Sequence, residues 1–86
     1  MLSGFILLPD PNDPDVLHAL EEHIKYTREE PGCITFQVVK DKKQAQKYHV
    51  YEVFENQHSF DAHQDRTKKS KWGKISRSFE RNYKLL

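Results

Sequence analysis

Residues 58–63 read HSFDAH, two histidines around a short apolar and acidic stretch, and His18, His23 and His49 bring the total to five in 86 residues. Histidine is the side chain whose ordinary pKa lies closest to neutral, so such a set points to metal binding or to proton transfer. The spacing speaks against a metal. A helical zinc pair places its histidines four apart, so that both rings face one way. His58 and His63 are five apart, as are His18 and His23. Five helical steps turn the second ring about 140° from the first. The chain has no HxH, HExxH or CxxC pattern, and no metal site is expected.

Proton transfer has a better candidate. His63 follows Phe60 by three residues and shares its inward helix face. Glu52 has the strand parity of Tyr48, Val50 and Phe54, the more apolar face of its strand. A carboxylate there is costly unless it is paired or hydrogen-bonded. A Glu52–His63 pair across a pocket satisfies both groups and raises the basicity of the imidazole. An inward histidine is otherwise a satisfied core residue, and Glu52 is otherwise a strand-end residue reaching water; the pairing of the two keeps proton transfer open beside those readings. The other four histidines read as peripheral. His58 starts a helix, His18 and His23 flank an apolar stripe and read as surface, and His49 has the opposite parity to Val50.

The elements that must position this pair follow from periodicity. SGFILL is a continuous apolar run ending at a proline, a short buried strand. PDPNDP is loop. Asp13-Pro14 is a helix start, since the Asp side chain accepts from free backbone N–H groups and Pro suits the first helical position. Val16, Leu17, Leu20, Ile24 and Thr27 then form one stripe, and Pro31-Gly32 ends the helix. CITFQVVK alternates, with Ile34, Phe36 and Val38 on one face. KYHVYEVFE is a second strand after a short polar connection, which predicts an antiparallel hairpin. Residues 57–78 are helical in composition, with a break near Arg66–Lys69, and FERNYKLL closes as a strand. The order β-α-β-β-α-β is the ferredoxin-like plan, an α+β fold with a four-stranded antiparallel sheet and two helices on one face. The other sheet face carries Thr35, Tyr51 and Val53, so it too calls for a cover, such as a second sheet.

Length and composition fit that plan. A chain of 86 residues is one domain, and one this small buries a limited share of its surface. Its apolar fraction of 36% is low, so self-association is expected to supply the missing burial. Aromatic residues at 12% speak against disorder. Residues 1–30 hold seven acids and two bases, whereas residues 66–86 hold eight bases and one acid. The basic stretch reads as a solvated helix face or a match for an acidic surface, because the whole-chain pI near 7.9 is below that of a nucleic-acid binder. With one cysteine, Cys33, no intrachain disulfide forms. No signal peptide or membrane span is recognisable, and a cytoplasmic location is expected.

The stretch YEVFENQHSFDAHQ resembles the antibiotic biosynthesis monooxygenase (ABM) family, which includes quinol monooxygenases. The family's pattern of tyrosine-glutamate, an aromatic two residues on, then a helical apolar-x-x-histidine is met by Tyr51, Glu52, Phe54, Phe60 and His63. EEPGCITFQV is similar to the family's helix end and second strand. The resemblance implies a homodimer of ferredoxin-like subunits joined through their open sheet faces, a dimeric α+β barrel. It implies a pocket between sheet and helices and oxygenation of electron-rich phenols or hydroquinones by dioxygen, with no flavin, haem or metal. The base removes a phenolic proton and the anion reduces dioxygen directly. His63 and Glu52 are then catalytic, and Phe36, Tyr51, Phe54, Trp72 and His49 form the substrate-binding set. Where relatives carry a second histidine after threonine-proline, this chain has Lys68 and no proline. Ser3-Gly4-Phe5 offers no asparagine of the kind used in haem degradation. Two further readings keep the same pocket: an isomerase of a small oxygenated metabolite, and a dimeric ligand-binding module without catalysis.

Overall fold

Local chemistry sets the ends of each element. In the computed structural model, which describes residues 1–85, the Asp13 carboxylate accepts the Asp15 N–H at 2.9 Å and Pro14 opens helix α1, Pro14–Glu29. The helix stops where the Glu30 N–H turns back to the Thr27 carbonyl at 3.1 Å. Gly32 follows with φ 83°, the left-handed conformation that glycine adopts without penalty. Gly32→Ala is expected to cost about 1–2 kcal/mol in urea unfolding, since a Cβ there is strained and also meets the Ser59 side chain.

Strand β1 is Leu2–Leu7, β2 is Cys33–Lys40 and β3 is Lys47–Phe54. The β2–β3 hairpin is closed by Asp41, which accepts the Lys43 and Gln44 N–H groups, both at 2.9 Å. Asn56 caps helix α2, Gln57–Lys69, by accepting the Ser59 N–H. Ser70 interrupts the helical stretch: its hydroxyl donates to the Thr67 carbonyl and accepts the Gly73 N–H, ending α2 and starting the short helix α3, Lys71–Ile75. The break is thus just beyond the expected Arg66–Lys69. A 3₁₀ turn at Ser76–Ser78 leads into β4, Arg81–Leu85. The last position of the expected closing strand, residue 86, lies outside the described residues.

The sheet order is β2-β3-β1-β4 with antiparallel neighbours, the ferredoxin-like arrangement. Helices cover one face around a core of Ile6, Leu8, Val16, Leu20, Phe36, Val50 and Trp72. Two sequence expectations change. The buried stripe of α1 is Val16, Ala19, Leu20, His23 and Thr27, while Leu17 and Ile24 are only partly buried. Ala19 and His23, four residues apart, share the face of α1 that packs inward. In β2 a bulge between Cys33 and Thr35 shifts the alternation, so Ile34 is 62% exposed and Cys33 packs on the core instead.

The second sheet face carries Phe5, Thr35, Val39, His49, Tyr51 and Val53, by strand parity and register. Val39 is 50% exposed and Tyr51 36% exposed there. No helix among the described residues is long and apolar enough to cross a membrane.

Candidate active site

Three elements converge beneath the sheet. Alternation in β3 turns Val50, Glu52 and Phe54 toward the helices. In α2, Phe60 and His63 lie on one face, with Arg66 one further turn along. At the end of α1, His23, Thr27 and Glu30 recur four and three residues apart and face α2.

His63 is 2% exposed and held between two carboxylates. Its Nδ1 lies 2.9 Å from Glu30 Oε1, and its Nε2 lies 3.3 Å from Glu52 Oε1. The second contact is at ion-pair distance but outside hydrogen-bond alignment, so Glu52 Oε1 has no hydrogen-bond partner although it is fully occluded. Arg66 Nη2 donates to Glu30 Oε1 at 2.8 Å and to Thr27 Oγ1 at 3.2 Å. Two carboxylates thus face one imidazole and one guanidinium. The Phe54 ring lies 4.9 Å from the His63 ring, and Phe36 lies 6.0 Å away.

The electrostatics follow from this packing. Burial by itself lowers the His63 pKa, but the contacts and charges of Glu52 and Glu30 outweigh it and hold the imidazole above its ordinary value. Burial by itself raises the Glu30 pKa, but Arg66 and His63 bring it below the usual value. His23 moves the other way. Burial, then the charges of His63 and Arg66, lower it to about 3 against the pull of Glu30. Its ring lies 5.6 Å from His63, stacks on Trp72 at 6.1 Å, and leaves Nδ1 buried without a partner.

Two spaces adjoin the pair. An interior cavity of about 30 Å³ is bounded by His23, Phe36, Glu52, Trp72 and Tyr83 among others. That is room for a water, not for a ring. An open cleft of about 230 Å³ is lined by Leu2, Glu52, Phe54, Phe60 and Leu85 with the adjoining α2 start. Glu52 is common to both.

Of the residues singled out in the sequence, His63, Glu52, Phe36, Phe54 and Trp72 share the helix-covered side, with Trp72 against His23 rather than His63. Tyr51 and His49 do not join them. Strand parity puts both on the opposite sheet face, where His49 Nε2 pairs with Asp41 Oδ1 at 2.8 Å. Lys68 is exposed, about 140° round α2 from His63. The reading of His23 as surface is overturned, since it is 6% exposed. Glu30, Arg66 and Thr27 were missed. The signal available was helical spacing, His63 to Arg66 and His23 to Thr27 to Glu30. Among the described residues no group of three His, Cys, Asp or Glu side chains is arranged to hold a metal ion.

The family model for antibiotic biosynthesis monooxygenases matches residues 4–73. The chain belongs to the antibiotic biosynthesis monooxygenase family. The match spans every residue just described from His23 to Trp72, and it stops before β4. Solved structures share this ABM fold. A Nitrosomonas europaea protein assigned to the same monooxygenases is 13% identical, with a TM-score of 0.79 over 99% of this chain and 85% of its own. A second antibiotic biosynthesis monooxygenase is 20% identical, with a TM-score of 0.74 over 100% of this chain and 96% of its own. SnoaB, a cofactor-independent oxygenase from Streptomyces nogalater, is 10% identical, with a TM-score of 0.73 over 99% and 88%. Identities at this level speak for the fold alone. A search of curated proteins found no match.

Proposed function

We propose that this ABM protein is a cofactor-independent monooxygenase that oxidises a quinol-like or polyphenolic small molecule with dioxygen. The observation that carries this reading is the buried Glu52–His63 pair beside an aromatic-walled cleft of about 230 Å³, in which Glu52 is a lining residue. The shared fold with SnoaB, a cofactor-independent oxygenase, supports it. The pair takes a proton from a substrate hydroxyl, and Phe54 and Phe60 hold the ring. The resulting anion supplies electrons to dioxygen. For a dihydroxyarene the balance is one arene and one dioxygen giving one hydroxyquinone and one water. One oxygen atom enters the ring, and the other accepts two protons and leaves as water.

The geometry favours a division of labour within the pair. Both His63 nitrogens face carboxylates, whereas Glu52 reaches the cleft. Glu52 then meets the substrate, and His63 holds and balances its charge. The same proton-carrying pair would also serve an isomerase of an oxygenated metabolite, which remains the second reading. The half-exposed apolar groups Val39 and Tyr51 on the second sheet face support a homodimer joined there.

The test is oxygen consumption by purified, metal-stripped protein against a panel of hydroquinones and polyphenols, beside His63→Gln. Uptake by the native protein that is lost in the variant supports the oxygenase. Absence of uptake above background on every compound, with turnover of an oxygenated metabolite under anaerobic conditions, transfers the reading to the isomerase.

A further inference from the structure

We infer that Glu30 completes a proton relay in which Glu52, on taking a proton at the substrate cleft, makes His63 pass its own proton through Glu30 to the protein surface. The inference rests on the proposed reading of Glu52–His63 as the proton-accepting pair. Its geometry is a row of ionisable groups, with Glu52 Oε1 at ion-pair distance from His63 Nε2, 3.3 Å, and His63 Nδ1 hydrogen-bonded to Glu30 Oε1 at 2.9 Å. Exposure rises along the row beyond the imidazole. The side chains of Glu52 and His63 are 8% and 3% exposed, Glu30 is 14% exposed and Arg66 is 33% exposed. The Glu30 end is where protons meet water.

The groups that face His63 come from α1 and its C-cap, His23 and Glu30, from β3, Glu52, and from its own helix, Arg66. Each has a distinct part. Arg66 fixes the Glu30 carboxylate, and the Glu30 backbone is itself fixed by its bond to Thr27. Neutral His23 does not compete for the proton, because burial and the charge of His63 keep its proton affinity low. His63 is the ring that contacts both carboxylates.

The proton balance is complete without any redox change. A substrate O–H bond breaks and an O–H bond forms on Glu52. With Glu52 neutralised, the buried cluster holds an excess positive charge, which is expensive at low local dielectric. The His63 Nδ1–H bond breaks and its proton passes to Glu30 and on to water, leaving a neutral imidazole whose Nε2–H faces the Glu52 carbonyl oxygen. The summed charge of the four side chains is the same before and after, and the negative charge is left on the substrate, whose electrons then pass to dioxygen. Glu30 acts through His63 and touches no substrate; it is a positioning and relay residue.

The experiment compares the native protein with Glu30→Gln and Glu30→Asp by two independent readouts. The first is ¹⁵N NMR titration of the His63 imidazole, which requires no activity. Glu30→Gln is expected to lower its midpoint toward the ordinary imidazole range, and Glu30→Asp to recover part of the difference. The second is the pH profile of oxygen uptake. Glu30→Gln is expected to reduce kcat about tenfold, short of the roughly 10²–10⁴ that a directly acting acid or base contributes, with KM unchanged and Glu30→Asp partly restored. A His63 midpoint that does not move in Glu30→Gln overturns the relay whether or not the protein takes up oxygen. So does an unchanged kcat and pH profile in a variant that is merely less stable. No uptake by the native protein, with the midpoint shifted as expected, overturns the oxygenase reading and supports the proton chain that the isomerase would use.

Discussion

Glu52→Gln is expected to lower kcat for oxygen uptake by about 10²–10⁴-fold, the range typical of removing a general base, while the protein stays folded. The substitution keeps the shape of a side chain that is 7% exposed and replaces a carboxylate by an amide that cannot take a proton. An amide oxygen in the same place still faces His63 Nε2, now 3.3 Å from Glu52 Oε1. The stability change is expected to be about 1–2 kcal/mol, because that oxygen has no aligned hydrogen bond to lose and His63 sheds its proton rather than stay charged beside a neutral amide. His63→Ala is the harsher change. It leaves Glu30 and Glu52 buried with one positive partner between them, and breaking a buried ion pair costs about 3–5 kcal/mol. Steady-state oxygen uptake with urea unfolding on the same samples separates the two effects. A Glu52→Gln protein with native kcat would remove Glu52 from the chemistry and return the base role to His63 alone.

The second large effect is on stability in acid, and it comes from a residue without a catalytic role. Burial and neighbouring charges lower the His23 pKa from 6.5 to about 3. Below pH 6.5 the unfolded chain therefore binds a proton that the folded chain refuses, and stability falls as pH falls. The slope approaches about 1.4 kcal/mol per pH unit below 6.5, so about 2 kcal/mol is lost between pH 6.5 and 4.5. His63 has the opposite sign. Its raised folded pKa contributes stability that is fully present below 6.5 and is lost as pH rises through the folded value. The contribution of Glu30 is present above 4.5 and is lost as pH falls through its lowered folded value. In the window from 6.5 to 4.5 only His23 among these three changes the balance. Urea unfolding at several pH values is expected to show this acid limb in the native protein and a flattened limb in His23→Leu. Leucine suits a site against Phe36 and Trp72 and removes the unpartnered Nδ1. An acid limb of equal slope in the variant would assign the effect elsewhere.

The fold was legible because its signals are local. Asp13-Pro14 and Pro31-Gly32 mark the ends of α1 through backbone chemistry that needs no distant partner. Alternation located β2 and β3, and the order of elements then left few topologies. The errors fell where a neighbour element decides orientation. A helix stripe read from apolar residues alone favoured Leu17 and Ile24, whereas the packed face of α1 buries Ala19 and His23. A bulge, invisible in the pattern of CITFQVVK, turned Ile34 outward.

The sequence by itself determined the ferredoxin-like plan, membership signals in YEVFENQHSFDAHQ, and the inward direction of Glu52 and His63, all of which depend on period and parity along one element. Tertiary structure alone decided what these two residues meet. Glu30 is 33 positions from His63 in the chain and Arg66 is 36 positions from Glu30, and no spacing rule links the end of α1 to the middle of α2. Their meeting depends on the crossing of two helices over one sheet. That crossing also turned one imidazole into a strong proton holder and its neighbour, 5.6 Å away, into a weak one. Proton affinity is set by burial and nearby charge, and both are properties of the packed chain.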